Sequence, residues 1–415
     1  MIKRTNLLYL QLFFAAILIG LLCALLFFSL KKITELMESV FFNTSSGNPI
    51  LSILFPIVGL SIIYLLRIYL FRKKENKGIR EVIEVLKIKG EKLPFYKIPS
   101  HYINGFITII FGGSTGIEVS SVVGAATIGS VVNNKTGILK KYQAELICAG
   151  SAAAITTLFN SPLAGIFFAY EVLYKKRTRS LFILTTISAL IAWLFNYLIH
   201  EEPLFNIPIH TWHTYAIPYF ILLGILAGLN SVYLTKIVIH FKNLFANVSP
   251  KYLAVLSGAT VIGIIIYFFP AIYGEGYLYI NKLPTFDTGN REALLLRLLL
   301  ILMIKPVATS LTLASGGDGG VFAPSLFIGA FLGFLLAFVL NTYFDAQVIP
   351  SNFIIIGMAA MLCASIQAPI TSIFLVCGVA GNYILIVPLL IACLIARITC
   401  HLVYPFTVYN YPVKN

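Results

Sequence analysis

Eight apolar runs of bilayer length recur along the chain, at 8–30, 50–71, 181–199, 216–240, 252–270, 294–313, 326–340 and 380–400. A helix needs about 20 apolar residues to cross a hydrocarbon core of roughly 30 Å. In lipid the backbone must also satisfy its own N–H and C=O groups. The fold class this predicts is an all-α polytopic membrane protein. A membrane barrel would show segments of about ten alternating residues, and these runs do not alternate. The first run follows "MIKRTN" and resembles a signal peptide. It is too long for an h-region and no small-residue cleavage site follows, so it reads as a retained first helix.

Charge supports the same class. The chain is 59% hydrophobic and 11% charged, with a formal charge of +14. On a soluble protein that excess would point to nucleic acid. Here the bases sit in short loops: Arg72, Lys73, Lys74, Lys77 and Arg80 in one, Lys175, Lys176, Arg177 and Arg179 in another. The loop at 200–218 has no Lys or Arg. The positive-inside rule then puts the first two loops and the N-terminus in the cytoplasm and the third loop outside; the C-terminus is expected in the cytoplasm as well. The expected partner is the lipid bilayer, with no nucleic acid. The six cysteines lie in or beside apolar runs and read as small buried residues. The histidines lack metal-ligand spacing, and "GGSTGIE" lacks the Gly-Lys-Ser/Thr of a phosphate loop. No HExxH and no oriented nucleophile–base pair is visible, so the chain does not read as an enzyme and no metal or cofactor is expected. Glu145 and Asp318 read as cap or loop residues.

The two halves repeat at an offset close to 205 residues. "GGSTGIEVSSVVGAATIG" (112–129) aligns with "GGDGGVFAPSLFIGAFLG" (316–333), and "GSAAAITTLFNSPLAGIFFAYEV" (150–172) with "GMAAMLCASIQAPITSIFLVCGV" (357–379). Duplicated halves with Gly/Pro-broken helices are the pattern of transporter-type folds, whose sites form where half-helix N-termini converge. A helix N-terminus carries about half a positive charge and takes an anion as its natural ligand. Both glycine-rich stretches therefore read as helix starts inside the membrane, with Pro324 suited to a first turn. Glu118 stands in one of them. An ionisable group at a helix centre costs roughly 2.5–3.5 kcal/mol on insertion scales, and a helix N-terminus is a partner that offsets it.

These residues resemble the CLC family of chloride channels and transporters over nearly the whole chain. "GGSTGIEVS" is similar to the family's GxEGP segment, "GGDGGVFAP" to its GxFxP segment, and "FNSPLAGIFFAYEV" to the helix that follows in the first half. "NKGIREVIE" falls where the GSGIP segment belongs, and "VYPFTVYNY" where the family has a tyrosine closing the path from inside. The resemblance implies a CLC-type inverted-repeat fold with broken, tilted helices, a homodimer, and one anion path per subunit. It implies a single transmembrane domain over 1–415, with repeats at about 1–200 and 216–415, without cytoplasmic CBS domains, in a bacterial inner membrane. Glu118 is then the gate. Backbone groups at Gly116, Ile117, Gly320, Val321 and Phe322 coordinate chloride, and Phe322 and Tyr409 shape the central site. Spacing favours Tyr409 over Tyr404 and Tyr411.

The departures are specific. Val119 and Ser120 replace the Gly-Pro after the glutamate. Lys77 stands at the position of a central-site serine, where it either binds the anion at the inner end of the path or snorkels into cytoplasmic water, and Arg80 stands at that of a proline. Val172 falls where many proton-coupled exchangers carry an internal acid, with Glu171 beside it facing another way. The reading is chloride permeation by a channel, with a proton-coupled chloride, halide or fluoride exchanger as the alternative.

Overall fold

A computed structural model of the protein describes residues 2–71, 76–88, 90–136, 141–286 and 289–412. Arg72, Lys73 and Lys74 of the first basic loop lie outside the described residues. The first half contains α1 (Ile2–Ser45), α2 (Pro49–Tyr69), α3 (Ile79–Lys87), α4 (Lys97–Ile110), α5 (Glu118–Thr136), α6 (Gln143–Phe159), α7 (Pro162–Phe168) and α8 (Arg179–Leu198). The second contains α9 (Ile217–Ala246), α10 (Lys251–Phe268), α11 (Tyr277–Lys282), α12 (Arg291–Ala314), α13 (Phe322–Tyr343), α14 (Pro350–Ile366), α15 (Pro369–Val379) and α16 (Ile386–Val403).

Eight of these are long and apolar enough to cross a membrane, and they coincide with the eight apolar runs. α1, α2, α8, α9, α10 and α16 expose large apolar side chains such as Phe14, Leu54, Phe182, Leu229, Leu256 and Leu394, as lipid-facing helices do. The centre is different. α6, α13 and α14 are buried on nearly every side. Their small residues let backbones approach closely, which is how helices pack where lipid removes the hydrophobic drive. A Cβ on Gly150 of α6 would strike the Ala125 carbonyl of α5, and one on Gly357 of α14 would strike that of Gly329 in α13. All six cysteines are buried and unpaired.

The halves are built alike down to single bonds. Gly113 N–H donates to the Thr108 carbonyl at 2.7 Å, and Gly317 N–H to that of Thr312 at 2.9 Å. The two threonines then exchange partners across the repeat: Ser114 N–H donates to Thr312 Oγ1 at 3.0 Å, and Asp318 N–H to Thr108 Oγ1 at 2.9 Å. Gly112 and Gly316 turn the chain out of α4 and α12 with φ of +86° and +96°, a conformation that disfavours residues with a Cβ. α6 ends on Asn160 and α14 on Gln367, both left-handed, and a proline opens the next helix each time. Gly116 and Gly320 then meet in an isolated antiparallel bridge. This is an inverted repeat whose two glycine-rich breaks are joined at the middle of the molecule.

Candidate functional site

Just past the Gly116–Gly320 bridge, a helix begins on each chain segment: α5 at Glu118 and α13 at Phe322. Some helices are capped by the side chain of the residue before them, such as Asn48 on α2, Thr178 on α8 and Asn290 on α12. α13 has no capping side chain. Its first N–H groups therefore keep their partial positive charge for another partner.

Glu118 occupies the space between the two helix starts and is 2% exposed. Its Oε1 accepts a hydrogen bond from the Tyr277 hydroxyl at 2.6 Å. The backbone N–H groups of Glu118 and Ala323 lie close to its carboxyl, and its Oε2 forms no regular hydrogen bond. A Cβ on Gly116 would strike this carboxylate, so the bridge glycine gives it room. The arrangement suits one small monovalent anion, and the carboxylate of Glu118 now fills it.

The residues expected beside it converge. Ile117, Val321 and Phe322 are buried, and Phe322 stands edge-on to Phe168 of α7 at 5.8 Å. Of the three C-terminal tyrosines, Tyr409 has its hydroxyl buried without a hydrogen-bond partner and lies within electrostatic reach of Glu118. Tyr404 meets Phe406 edge-on, and Tyr411 lies under Arg80 at 5.5 Å. Lys77 is elsewhere: it is exposed, one residue before Gly78, which opens α3.

The departures from the family pattern have local partners. Val119 packs where Gly320 and Gly78 lack side chains. Ser120 donates to Asp318 Oδ1 at 3.3 Å, and Asp318 also meets His101 Nδ1 at 3.0 Å and Asn76 Nδ2 at 2.6 Å. This buried network ties the start of α3 to α4, α5 and the 315–321 turn. Arg80 donates to the Tyr411 carbonyl at 3.4 Å and so holds the C-terminal segment that carries Tyr409. Val172 lies half-buried in a π-helical turn, Ala169–Leu173. Glu171 beside it accepts from Ile370 N–H at 3.2 Å, Thr371 N–H at 2.8 Å and Thr371 Oγ1 at 2.7 Å. It caps α15, which commits its carboxylate to a structural task.

Three residues of the site were not foreseen: Tyr277, Glu275 and Lys305. Lys305 is fully buried in α12 and donates to the carbonyls of Ile272 and Gly274 at 3.2 and 3.1 Å. The signal for it was present, since a lysine inside the apolar run "LILMIKPVA" marks a functional position by default. Glu275 and Tyr277 sit in a short turn with no distinguishing pattern. A cavity of about 300 Å³ opens beside them, lined by Lys31, Lys32, Glu35, Glu38, Glu201 and Glu275 among others. Glu201, from the loop after α8, pairs with Lys31 at 2.8 Å and Lys32 at 2.9 Å.

The chain is similar to known proteins in both sequence and fold. The sequence model of the voltage gated chloride channel family matches residues 58–401. A voltage-gated ClC-type chloride channel, ClcB, of Shigella flexneri is 30% identical over 73% of this chain and 72% of its own length. A putative ClcB-like chloride channel protein of Ralstonia nicotianae is 26% identical over 79% of this chain and 77% of its own. Among solved structures, a slow cyanobacterial Cl⁻/H⁺ antiporter superposes with a TM-score of 0.83 at 22% identity, covering 96% of each chain. A CLC-type fluoride/proton antiporter gives 0.81 at 23%, again over 96% of each.

Proposed function

The chain belongs to the voltage gated chloride channel (CLC) family, and on that premise we propose that it conducts chloride or a related small anion along one path per subunit, gated by Glu118. The observation that carries the reading is the position of the Glu118 carboxyl between two helix N-termini, with one oxygen held by Tyr277 and the other without a regular hydrogen bond. A carboxylate there is a tethered anion. While it stays, it takes the N–H groups that a passing anion needs; when it is protonated or swings away, they become free. Gly116, Ile117, Gly320, Val321 and Phe322 line this site. The buried Tyr409 hydroxyl offers a donor on the cytoplasmic side. Lys77, exposed at the start of α3, raises the anion concentration at the inner mouth.

Passive conduction is favoured over exchange. Val172 cannot carry a proton, and Glu171 is committed to capping α15. The ClcB relatives are named as chloride channels. The two repeats cover about 1–200 and 216–415 of one transmembrane domain. The protein works as a homodimer in a bacterial inner membrane, with both termini cytoplasmic and Glu201 outside. No step of this reading needs a cofactor.

The test is anion flux from liposomes with simultaneous pH recording. Glu118→Gln should raise chloride flux and flatten its pH dependence. Unchanged flux at every pH would end the gate assignment. Stoichiometric uphill proton movement driven by a chloride gradient in the wild type would replace the channel with the proton-coupled exchanger.

A further inference from the structure

The turn between α10 and α11 reads "PAIYGEGYLY" at 270–279, and its backbone is unusually constrained. Lys305 Nζ holds the carbonyls of Ile272 and Gly274 and lies 4.6 Å from the centre of the Phe327 ring. Glu38 of α1 accepts from Glu275 N–H at 3.1 Å. A Cβ on Gly274 would strike the Glu38 carboxylate, and one on Gly276 would press on Phe327. Three elements thus fix where the side chain of Glu275 points.

It points at α5. Glu275 is 5% exposed, and its Oε1 accepts from Ile117 N–H at 3.1 Å. That N–H belongs to the residue just before α5 and is one of the donors assigned to the permeating anion. Two residues after Glu275, Tyr277 holds the other carboxylate, Glu118. Both Glu275 and Tyr277 line the 300 Å³ cavity, and both also line a chamber of about 20 Å³ that reaches Glu118 and Ile117. That chamber has room for about one water. An anion travelling between the large cavity and Glu118 therefore passes Glu275.

We propose that Glu275 is a second gating carboxylate, which plugs the Ile117 N–H and must be displaced before an anion can bind there. The proposal rests on the reading of Glu118 as the gate, and it adds a serial barrier outside that gate. The plug sits among like charges. Glu35 and Glu38 of α1, Glu118 of α5 and Tyr277 of α11 face Glu275, with Lys31 and the buried Lys305 as the nearby cations. Around the large cavity Glu35, Glu38, Glu201, Glu202 and Glu275 stand against Lys31 and Lys32.

The test uses the full chain in liposomes and in detergent, with Glu275→Ala, Glu275→Gln, Glu118→Gln, and each Glu275 variant combined with Glu118→Gln. Chloride flux, chloride affinity by calorimetry, and thermal midpoint are measured for each. A hydrogen bond to a charged group is strong enough that its loss changes occupancy roughly tenfold or more. Glu118→Gln with Glu275→Ala should therefore exceed Glu118→Gln alone in chloride affinity by about that factor, with higher flux. Glu275→Gln can still accept from Ile117 N–H, and a neutral acceptor binds about half as strongly. It should move both readouts in the same direction by less, and it serves if the alanine variant does not fold. If Glu118→Gln raises flux and neither Glu275 variant adds to it, the second plug is refuted while the gate stands. If the Glu275 variants only lower flux and the thermal midpoint, Glu275 is a structural clip and the proposal fails. If Glu118→Gln itself changes nothing, both assignments fall together.

Discussion

Tyr277→Phe is a test of the gate that removes one oxygen atom. The phenol donates to Glu118 Oε1 at 2.6 Å, within the 2.5–2.7 Å range of charge-assisted O–H···O⁻ bonds. The ring itself is held by an edge-on contact with Phe205 at 5.3 Å, which phenylalanine retains. The substitution therefore subtracts the hydroxyl and little else. Hydrogen bonds to charged groups contribute about 1.5–3 kcal/mol net, and each 1.4 kcal/mol is a factor of ten. Because Glu118 Oε2 has no regular hydrogen bond, this bond is the main side-chain restraint on the carboxyl. Its loss should shift the closed-to-open ratio of the gate by roughly ten- to hundredfold. Chloride efflux from liposomes should rise, up to the level set by Glu118→Gln. In the Glu118→Gln background the same substitution should add little, since the charged acceptor is gone; the double-mutant cycle isolates the pair. A Tyr277→Phe protein with wild-type efflux would refute the restraint. An equal rise in both backgrounds would show that the hydroxyl acts on something other than Glu118.

Other consequences follow from particular contacts. Lys77→Met should lower chloride conductance at low salt and converge on wild type near 1 M, where the Debye length is about 3 Å; identical conductance at every salt concentration would remove Lys77 from the anion path. Gly150→Val forces a side chain onto the Ala125 carbonyl and should destabilise the protein by about 1–3 kcal/mol or more, read as a lowered thermal midpoint in detergent. Glu201 lies in the loop after α8. Burial pushes its carboxyl up, but Lys31 and then Lys32 outweigh that and hold it below its usual value of 4.5. A depressed carboxylate stabilises the fold above its ordinary value and loses that contribution as pH falls through the lowered one. Hydrogen exchange in the 199–213 loop should therefore accelerate on acidification below about pH 4.5, and Glu201→Gln should abolish the difference.

The eight apolar helices of spanning length and the start of a helix at Glu118 were legible in the sequence because each is a local property. An apolar run of bilayer length has few alternatives in lipid. A Gly-rich break with a carboxylate at the start of the next helix states its chemistry within ten residues. α6, α7, α14 and α15 are shorter than a full span. They were legible only through the repeat, since a helix buried on all sides shows no amphipathic period.

What closes the site is not local. Glu118 meets Tyr277 across 159 positions, and Ile117 meets Glu275 across 158. Nothing in "YGEGY" tells which helix start that turn will reach. Lys305 could be noticed as a buried charge, but that it fixes the backbone of Glu275 depends on how α12 packs against the 270–276 turn. Lys77 shows the same limit from the other side: sequence register set it beside the site, and the chain turns it toward solvent. The sequence alone decided which groups cannot face lipid. The tertiary structure decided which N–H each buried carboxylate occupies, because a hydrogen bond requires two groups within about 3 Å and only the packing of distant helices brings them there.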